Sequence, residues 1–227
     1  MLATDIEQLI PRIIAAAIFL LVGFPIHEYA HARTALHYGD GTAKLFGRVT
    51  LDPRSHFDPA GGMMLVISTL AAGLPIGWAK PTPVNPAMLR GGRRSHAFVA
   101  LAGPASNLVM ALIAALVIRV FVAFDVVASD ATLLAYQVVA TFLVINVALF
   151  VFNLIPAPPL DGASVLVGLL RPPYARQVGT FLDRYGSWLL VALIGLAVLP
   201  GLFPEASGLP NPLGDLINGL VGFLVGA

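Results

Sequence analysis

The sequence predicts an all-α polytopic membrane protein with about five or six membrane segments, one of which, near residues 60–78, is re-entrant or interfacial. Three observations predict this class. Hydrophobic residues make up 58% of the 227-residue chain and charged residues only 11%, against about 45–50% and about 25% in soluble domains. The mean hydropathy is +0.86. Several apolar stretches are also long enough to cross a bilayer, which takes about 20 residues.

The apolar stretches predict the membrane segments in order along the chain. The first covers residues 9–36, and Gly39 follows it as a helix stop signal. The second, at residues 60–78, is short and rich in glycine. The remaining segments are expected at residues 97–122, 131–155, 187–203 and 212–226, the last of which is only marginally long enough to span.

The composition limits the possible organisation and partners. The length fits a single membrane-embedded domain over residues 1–227. A net charge of +1 gives no indication of a nucleic-acid partner. The chain has no cysteine, so disulfides and thiolate metal sites are excluded. Any metal must therefore be bound by His, Asp, Glu or Asn.

The distribution of positive charge predicts the topology. Of the 13 Lys and Arg residues, all except Arg12 and Arg119 lie within residues 33–96 and 156–186. If the first segment runs inward and the second dips into the membrane and returns, both regions are cytoplasmic and carry the expected positive excess. Arg12 and Arg119 lie near the outer ends of helices, where a long side chain can reach the interface. A second segment that crossed would place the basic cluster at residues 90–94 outside.

A histidine pair ends the first apolar segment, in the stretch PIHEYAHA (25–32). His27 and His31 are four residues apart and share one helix face, the spacing that places two imidazoles on one zinc ion. Glu28 can take a proton from the attacking water, while zinc polarises the scissile carbonyl. A chance match is the alternative, but a charge in a membrane helix costs roughly 2.5–3.5 kcal/mol and is functional by default. Pro25 is expected to kink the helix before the pair.

A catalytic zinc normally has three protein ligands, so the histidine pair needs a third. The best third candidate is Asp161, in the stretch FNLIPAPPLDG (152–162) at the inner end of the fourth segment. The prolines of this stretch cannot continue a helix, and irregular backbone at membrane depth must be buried in protein or line a cavity. The alternative is that Asp161 caps a short helix over residues 162–170. Asp161 can meet the histidines only if an even number of crossings separates them, which again requires a second segment that does not cross.

The stretches HEYAH, AGPASN (102–107) and NLIPAPPLDG together resemble the site-2 protease family, the zinc metalloproteases that cut within membranes. The resemblance covers residues 20–185, which is most of the chain. The stretches GDGTAKLFGRVTLDP (39–53) and GWAKPTPVNP (77–86) further resemble the compact prokaryotic branch, without PDZ or CBS domains.

The resemblance implies a set of site residues. His27, His31 and Asp161 are implied to bind one zinc ion per chain, and Glu28 is implied to be the general base. Asn153 is implied to lie beside the site, where its N–H donors could hold the substrate backbone or the developing oxyanion. The alternative for Asn153 is a helix C-terminal residue that bonds neighbouring carbonyls.

Other residues carry weaker expectations. Within AGPASN, Gly103 is expected to let helices pack closely and Asn107 to bond across them. His56 is expected to be a loop histidine near the headgroups. The extended stretch AKPTPVNP (79–86) could pair with an unwound substrate strand, through the N–H groups that its prolines leave.

The sequence therefore predicts an intramembrane zinc endopeptidase that hydrolyses peptide bonds of transmembrane segments. The resemblance implies single-pass membrane proteins or signal-peptide remnants as substrates, and a multi-pass location in the cell membrane with the active site toward the cytoplasm. Two alternatives remain open. A non-catalytic pseudoprotease that binds helices is disfavoured by the intact motif residues. A metal or proton transporter is disfavoured because the sequence shows no internal repeat.

Overall fold

The computed structural model describes residues 2–72, 77–202 and 210–226. All regular structure in these residues is helical, which confirms the all-α class. The α-helices are α1 (Leu2–Ile18), α2 (Phe24–His37), α3 (Thr42–Leu45), α4 (Pro53–His56), α5 (Pro59–Ala72), α6 (Arg93–Ala123), α7 (Asp130–Asn153), α8 (Asp161–Leu169), α9 (Pro172–Leu202) and α10 (Pro212–Val225). A π-helical turn, Phe19–Gly23, joins α1 to α2, and a 3-10 turn covers Pro86–Met88.

Three helical stretches in the described residues are long and apolar enough to cross a membrane. They are Leu9–His37, Arg93–Ala123 and Asp130–Asn153, and they match the first, third and fourth predicted segments. The fifth predicted segment falls on α9, except for residue 203, which lies outside the described residues. The total number of membrane segments stays a prediction.

The second predicted segment folds back toward its own start. Helix α5 has 14 residues, so it is about 21 Å long against a hydrocarbon core of about 30 Å. After α5 the chain returns to its first turn, because a Cβ on Gly61 would overlap the carbonyl oxygen of Trp78. Residues 73–76 of the segment lie outside the described part. The described residues give the in-and-back path that the predicted topology requires, and its depth in the bilayer stays a prediction.

The first long helix changes its winding just before the histidine pair. Pro25 has no N–H to donate, and the turn before it is π-helical, with the Phe24 N–H bonded to the Phe19 carbonyl. The kink predicted at Pro25 therefore takes the form of a π-turn, a feature that is frequent at functional sites. The rings of Phe19 and Phe24 pack edge to face with centroids 4.6 Å apart. This turn sets which side of α2 faces the rest of the bundle.

Helices α6 and α7 form the central packing unit. Ser129 begins α7 with a capping box, in which its side chain accepts the Thr132 N–H. The two helices share a core of small and branched side chains that α10 covers: Ala111, Ala114, Ala115, Ile118, Leu143, Val147 and Val151. Arg119 donates from Nε to the Leu224 carbonyl at 2.9 Å. Its positive charge therefore lies at the C-terminal end of α10, where the helix dipole favours it.

The polar connection after α2 is fixed by a buried carboxylate. Helix α2 ends at His37, and Gly39 takes a φ of +101°, which confirms the predicted stop. Asp40 accepts the Thr42 N–H at 2.9 Å and the Asn85 N–H at 2.6 Å. Burial alone would raise the pKa of Asp40, but the hydrogen bonds from Thr42 and Asn85 outweigh it and hold the pKa below its usual range. Asp40 thus ties this connection to the segment before α6.

Candidate metal centre

The structure brings His27, His31 and Asp161 together at one point. The two histidine Nε2 atoms lie 3.1 Å apart. The Oδ2 atom of Asp161 lies 3.5 Å from Nε2 of His27 and 3.3 Å from Nε2 of His31. A tetrahedral zinc site with ligand distances of about 2.0–2.1 Å has ligand atoms about 3.3–3.4 Å apart. The three observed separations therefore fit one zinc ion.

A break in the chain after α7 carries Asp161 to the histidines. Helix α7 ends at Asn153, and the proline-rich stretch at residues 154–160 leads to α8. The N-cap position of α8 is Leu160, and no side chain caps the helix. The alternative that Asp161 is an N-cap is therefore wrong. A Cβ on Gly162 would overlap the Leu154 carbonyl, so glycine lets α8 start this close to the end of α7.

A chain of buried amides fixes the orientation of His27. Asn146 donates from Nδ2 to the Phe142 carbonyl at 2.8 Å, and Asn107 donates from Nδ2 to Oδ1 of Asn146 at 3.2 Å. Nδ1 of His27 lies 2.6 Å from Oδ1 of Asn107. Because a backbone carbonyl only accepts, it orients both amides, and Nδ1 of His27 must be the donor. Nε2 of His27 then carries the lone pair that faces Asp161.

His31 is oriented in the same way by a single carbonyl. Its Nδ1 lies 2.7 Å from the Val99 carbonyl oxygen, so Nδ1 donates and Nε2 carries a lone pair. Such a bond from the other ring nitrogen is the usual outer arrangement of a metal-ligating histidine. In the neutral rings, two lone pairs and a partly buried carboxylate thus converge, and a bound cation would offset their repulsion. Two imidazoles and one carboxylate are ligands that zinc accepts in catalytic sites.

Helix α6 leaves the space that the two rings occupy. The sequence predicts close helix packing at Gly103, and the structure shows that the packed atoms belong to the histidine pair. A Cβ on Gly103 would overlap Nε2 of His31 and lie 2.6 Å from Cε1 of His27. A side chain at this position would therefore displace both imidazoles.

Glu28 lies beside the three converging residues, at a cavity of about 210 Å³. His27, Glu28 and Asn153 are polar residues of its lining. The other lining residues are largely apolar: Phe19, Phe24, Gly77, Trp78, Ala79, Leu149, Phe152 and Leu160. Glu28 is buried, at 9% exposure, and its Oε2 accepts the Thr82 N–H at 2.7 Å. Asn153 thus lies beside the site as the resemblance implies, and its role stays a prediction.

The sequence does not predict every contact of the site. Asn146 has a signal of its own, because a polar side chain in the middle of a spanning helix is unusual. The contact of Thr82 with Glu28 has no local signal, since Thr82 belongs to the stretch at residues 79–86 that is expected to pair with substrate. His56, expected to be a loop histidine near the headgroups, is the last residue of α4. It is buried, and its Nε2 lies 2.8 Å from the Thr50 carbonyl; its depth in the bilayer stays a prediction.

Comparisons with known proteins identify the family. The sequence pattern of peptidase family M50 matches residues 122–193, which include Asp161 but not the histidine pair. A relative that matches over more of the chain is "Putative zinc metalloprotease YwhC" of Bacillus subtilis strain 168, which is 37% identical over 178 residues, 78% of each chain. The chain belongs to peptidase family M50. The resemblance to the site-2 proteases is thereby confirmed, and the protein is a membrane metalloprotease.

Further relatives come from mycobacteria. "Putative zinc metalloprotease Rip2" of Mycobacterium tuberculosis strain H37Rv is 34% identical over 185 residues, which are 80% of this chain and 66% of Rip2. The protein of the same name in Mycolicibacterium smegmatis is 30% identical over 185 residues, again 80% of this chain and 66% of the relative. No solved structure matches the chain.

Replacement of Gly103 tests the space beneath the histidine pair. In Gly103→Ala we expect zinc affinity to fall by at least about 10-fold, as for other changes that disturb metal-ligand orientation. The measurement is zinc content after dialysis against graded chelator. The control is Gly219→Ala, because a Cβ on Gly219 would meet nothing within 4 Å. Equal zinc retention in wild type and Gly103→Ala would contradict the geometry.

Proposed function

We propose that the protein is an intramembrane zinc endopeptidase, a single metalloprotease domain over residues 1–227 that cuts peptide bonds in transmembrane segments. The observation that carries this proposal is the convergence of two imidazole Nε2 atoms and one carboxylate oxygen, 3.1–3.5 Å apart, on helices of a membrane protein. Membership of a zinc metalloprotease family supports the same chemistry.

His27, His31 and Asp161 would hold the one zinc ion, whose Lewis acidity polarises the scissile carbonyl and makes water a better nucleophile. The Glu28 carboxylate takes the proton of the attacking water and gives it to the departing amine. General base catalysis of this kind contributes about 10²- to 10⁴-fold to rate. The burial of Glu28 beside His27 supports this role, because a group that moves this proton must lie within hydrogen-bond reach of the water.

Asn153 would act on the substrate rather than on the metal. It lines the same cavity as His27 and Glu28, at the last residue of α7. From there its Nδ2 group could donate to the substrate backbone or to the oxygen on which negative charge develops.

The surroundings of the site favour an apolar substrate in lipid. Eight of the residues that line the cavity with His27, Glu28 and Asn153 are apolar or glycine, which suits the side chains of a membrane segment. We therefore propose single-pass membrane proteins or signal-peptide remnants as substrates. The positive residues at 33–96 and 156–186 support a location in the cell membrane with the site toward the cytoplasm.

Substitution of the general base tests the proposed chemistry. With a panel of tagged single-pass proteins in liposomes, we expect wild type to cut at least one member and Glu28→Gln to cut it at least about 100-fold more slowly. Zinc content should be equal in both, because Glu28 is not among the three converging residues. Equal cleavage by the two proteins, or a wild type that binds zinc and cuts no member of the panel, would contradict the proposal.

Single cysteines test the orientation, since the chain has none of its own. In intact cells we expect a membrane-impermeant maleimide to label Ala128→Cys, in the loop between α6 and α7, because that loop lies outside. Gln177→Cys, on the exposed surface of α9, should react only after permeabilisation. The reverse pattern would place the site on the outer side, and equal labelling of both positions in intact cells would contradict the topology.

A further inference from the structure

The segment at residues 77–85, called the strap below, contacts Glu28 directly. Thr82 makes two hydrogen bonds to this one residue. Its N–H donates to Oε2 of Glu28 at 2.7 Å, and its Oγ1 donates to the Glu28 backbone carbonyl at 3.0 Å. The first bond is short and charge-assisted, a class that is stronger than neutral hydrogen bonds. Together the two bonds fix the carboxylate relative to the backbone of α2.

Buried groups hold the strap on both sides of Thr82. The Lys80 N–H donates to the His56 carbonyl at 2.8 Å. The guanidinium of Arg48, itself buried, donates to the Lys80 carbonyl at 3.4 Å and also to the Ser55 carbonyl. On the other side, the Asn85 N–H bonds to Oδ2 of Asp40 at 2.6 Å. The position of Thr82 is therefore set by the connection between α2 and α5, independently of Glu28.

No backbone N–H on either side of Thr82 can compete with its own for the Glu28 carboxylate. Pro81 and Pro83 have no backbone N–H and restrict the strap to extended conformations. Thr82 is thus the single amide donor within residues 81–83. A slip by one residue in either direction would present a proline to Glu28 and lose the bond. This pattern selects one register of the strap against the carboxylate.

These contacts change the hypothesis that the strap pairs with substrate. The N–H groups of Lys80, Thr82 and Asn85 are all bonded within the chain. A substrate strand could use them only if those bonds broke, including the bond to Glu28. In this structure the Thr82 N–H therefore bonds Glu28 and is not free to bond a substrate strand.

We propose that Thr82 is a positioning residue, which holds the Glu28 carboxylate at the cavity in the orientation that proton transfer needs. This inference rests on the proposed function for the role of Glu28. A free glutamate side chain rotates about three bonds, and small displacements of a catalytic group cost rate. The bond from the Thr82 backbone N–H restricts this rotation and holds the Glu28 carboxylate in one orientation.

Hydrogen exchange tests the contact without any substrate. The peptide over residues 78–85 has few amides, because prolines occupy two of its positions. In Glu28→Ala we expect the Thr82 amide to exchange about 10- to 100-fold faster than in wild type, since its acceptor is gone. In Glu28→Gln it should stay protected, because the side-chain carbonyl still accepts. The Asn85 amide, bonded to Asp40, is the internal reference and should not change. Equal exchange at Thr82 in all three proteins overturns the inference.

Kinetics test the positioning role. Thr82→Pro removes the N–H while keeping an extended backbone, and we expect kcat to fall about 10- to 100-fold, with KM and zinc content unchanged. The control is Ala87→Ser, at an exposed position just after the strap, and it should keep the wild-type kcat. Thr82→Val removes only the hydroxyl bond, so it should lose a smaller part of kcat, and Thr82→Ser should restore it.

The outcomes separate this inference from the proposed function. If wild type cuts, Glu28→Gln does not, and Thr82→Pro matches wild type, the positioning role is overturned and the proposed function stands. A raised KM with unchanged kcat in Thr82→Pro also overturns it, because the strap would then bind substrate. If Thr82→Pro does not fold, Thr82→Val decides, and a wild-type kcat in that variant overturns the inference. If wild type binds zinc and cuts nothing, the proposed function fails. Hydrogen exchange still shows whether the Thr82 N–H is bonded to Glu28.

Discussion

Three electron-donating atoms that meet in a buried place impose the main constraint on this molecule. Nε2 of His27, Nε2 of His31 and Oδ2 of Asp161 lie 3.1–3.5 Å from one another. A buried, uncompensated charge is far too costly to persist, so such a cluster needs a cation or protons. The hydrogen bonds from both Nδ1 atoms suit a metal cation, because in the neutral imidazoles they leave a lone pair on each Nε2 atom. The rest of the site is arranged to keep these three atoms close.

One face of helix α6 carries most of the groups that hold the two histidines in place. Val99, Gly103 and Asn107 follow one another at intervals of four residues and therefore lie on one face. The Val99 carbonyl orients His31, Gly103 leaves room for the rings, and Asn107 orients His27. Helix α7 extends this support through Asn146, and the chain break after α7 delivers Asp161. The strap holds Glu28 from the opposite, loop side.

The sequence predicts those features of the site that depend on local spacing. The interval between His27 and His31 gives a shared helix face, and the prolines before Asp161 give a break in the chain. Asp161 can meet the histidines only across an even number of crossings, which predicts that the second segment does not cross. The sequence does not predict the contacts of Asn146 or Thr82, because these depend on how whole elements are placed against one another. The π-turn before α2 is missed for a similar reason, since Pro25 signals a disturbed helix but not the form that it takes.

The most direct test of the central claim is X-ray absorption at the zinc edge of the purified wild-type protein. The chain has five histidines and no cysteine, so the number of imidazoles bound to zinc is informative. The proposed ligands predict about one zinc per chain, four-coordinate, with two imidazoles and oxygen ligands at about 2.0–2.2 Å. Three or more imidazoles, a six-coordinate shell of oxygen atoms, or no retained zinc would contradict a site built from His27, His31 and Asp161.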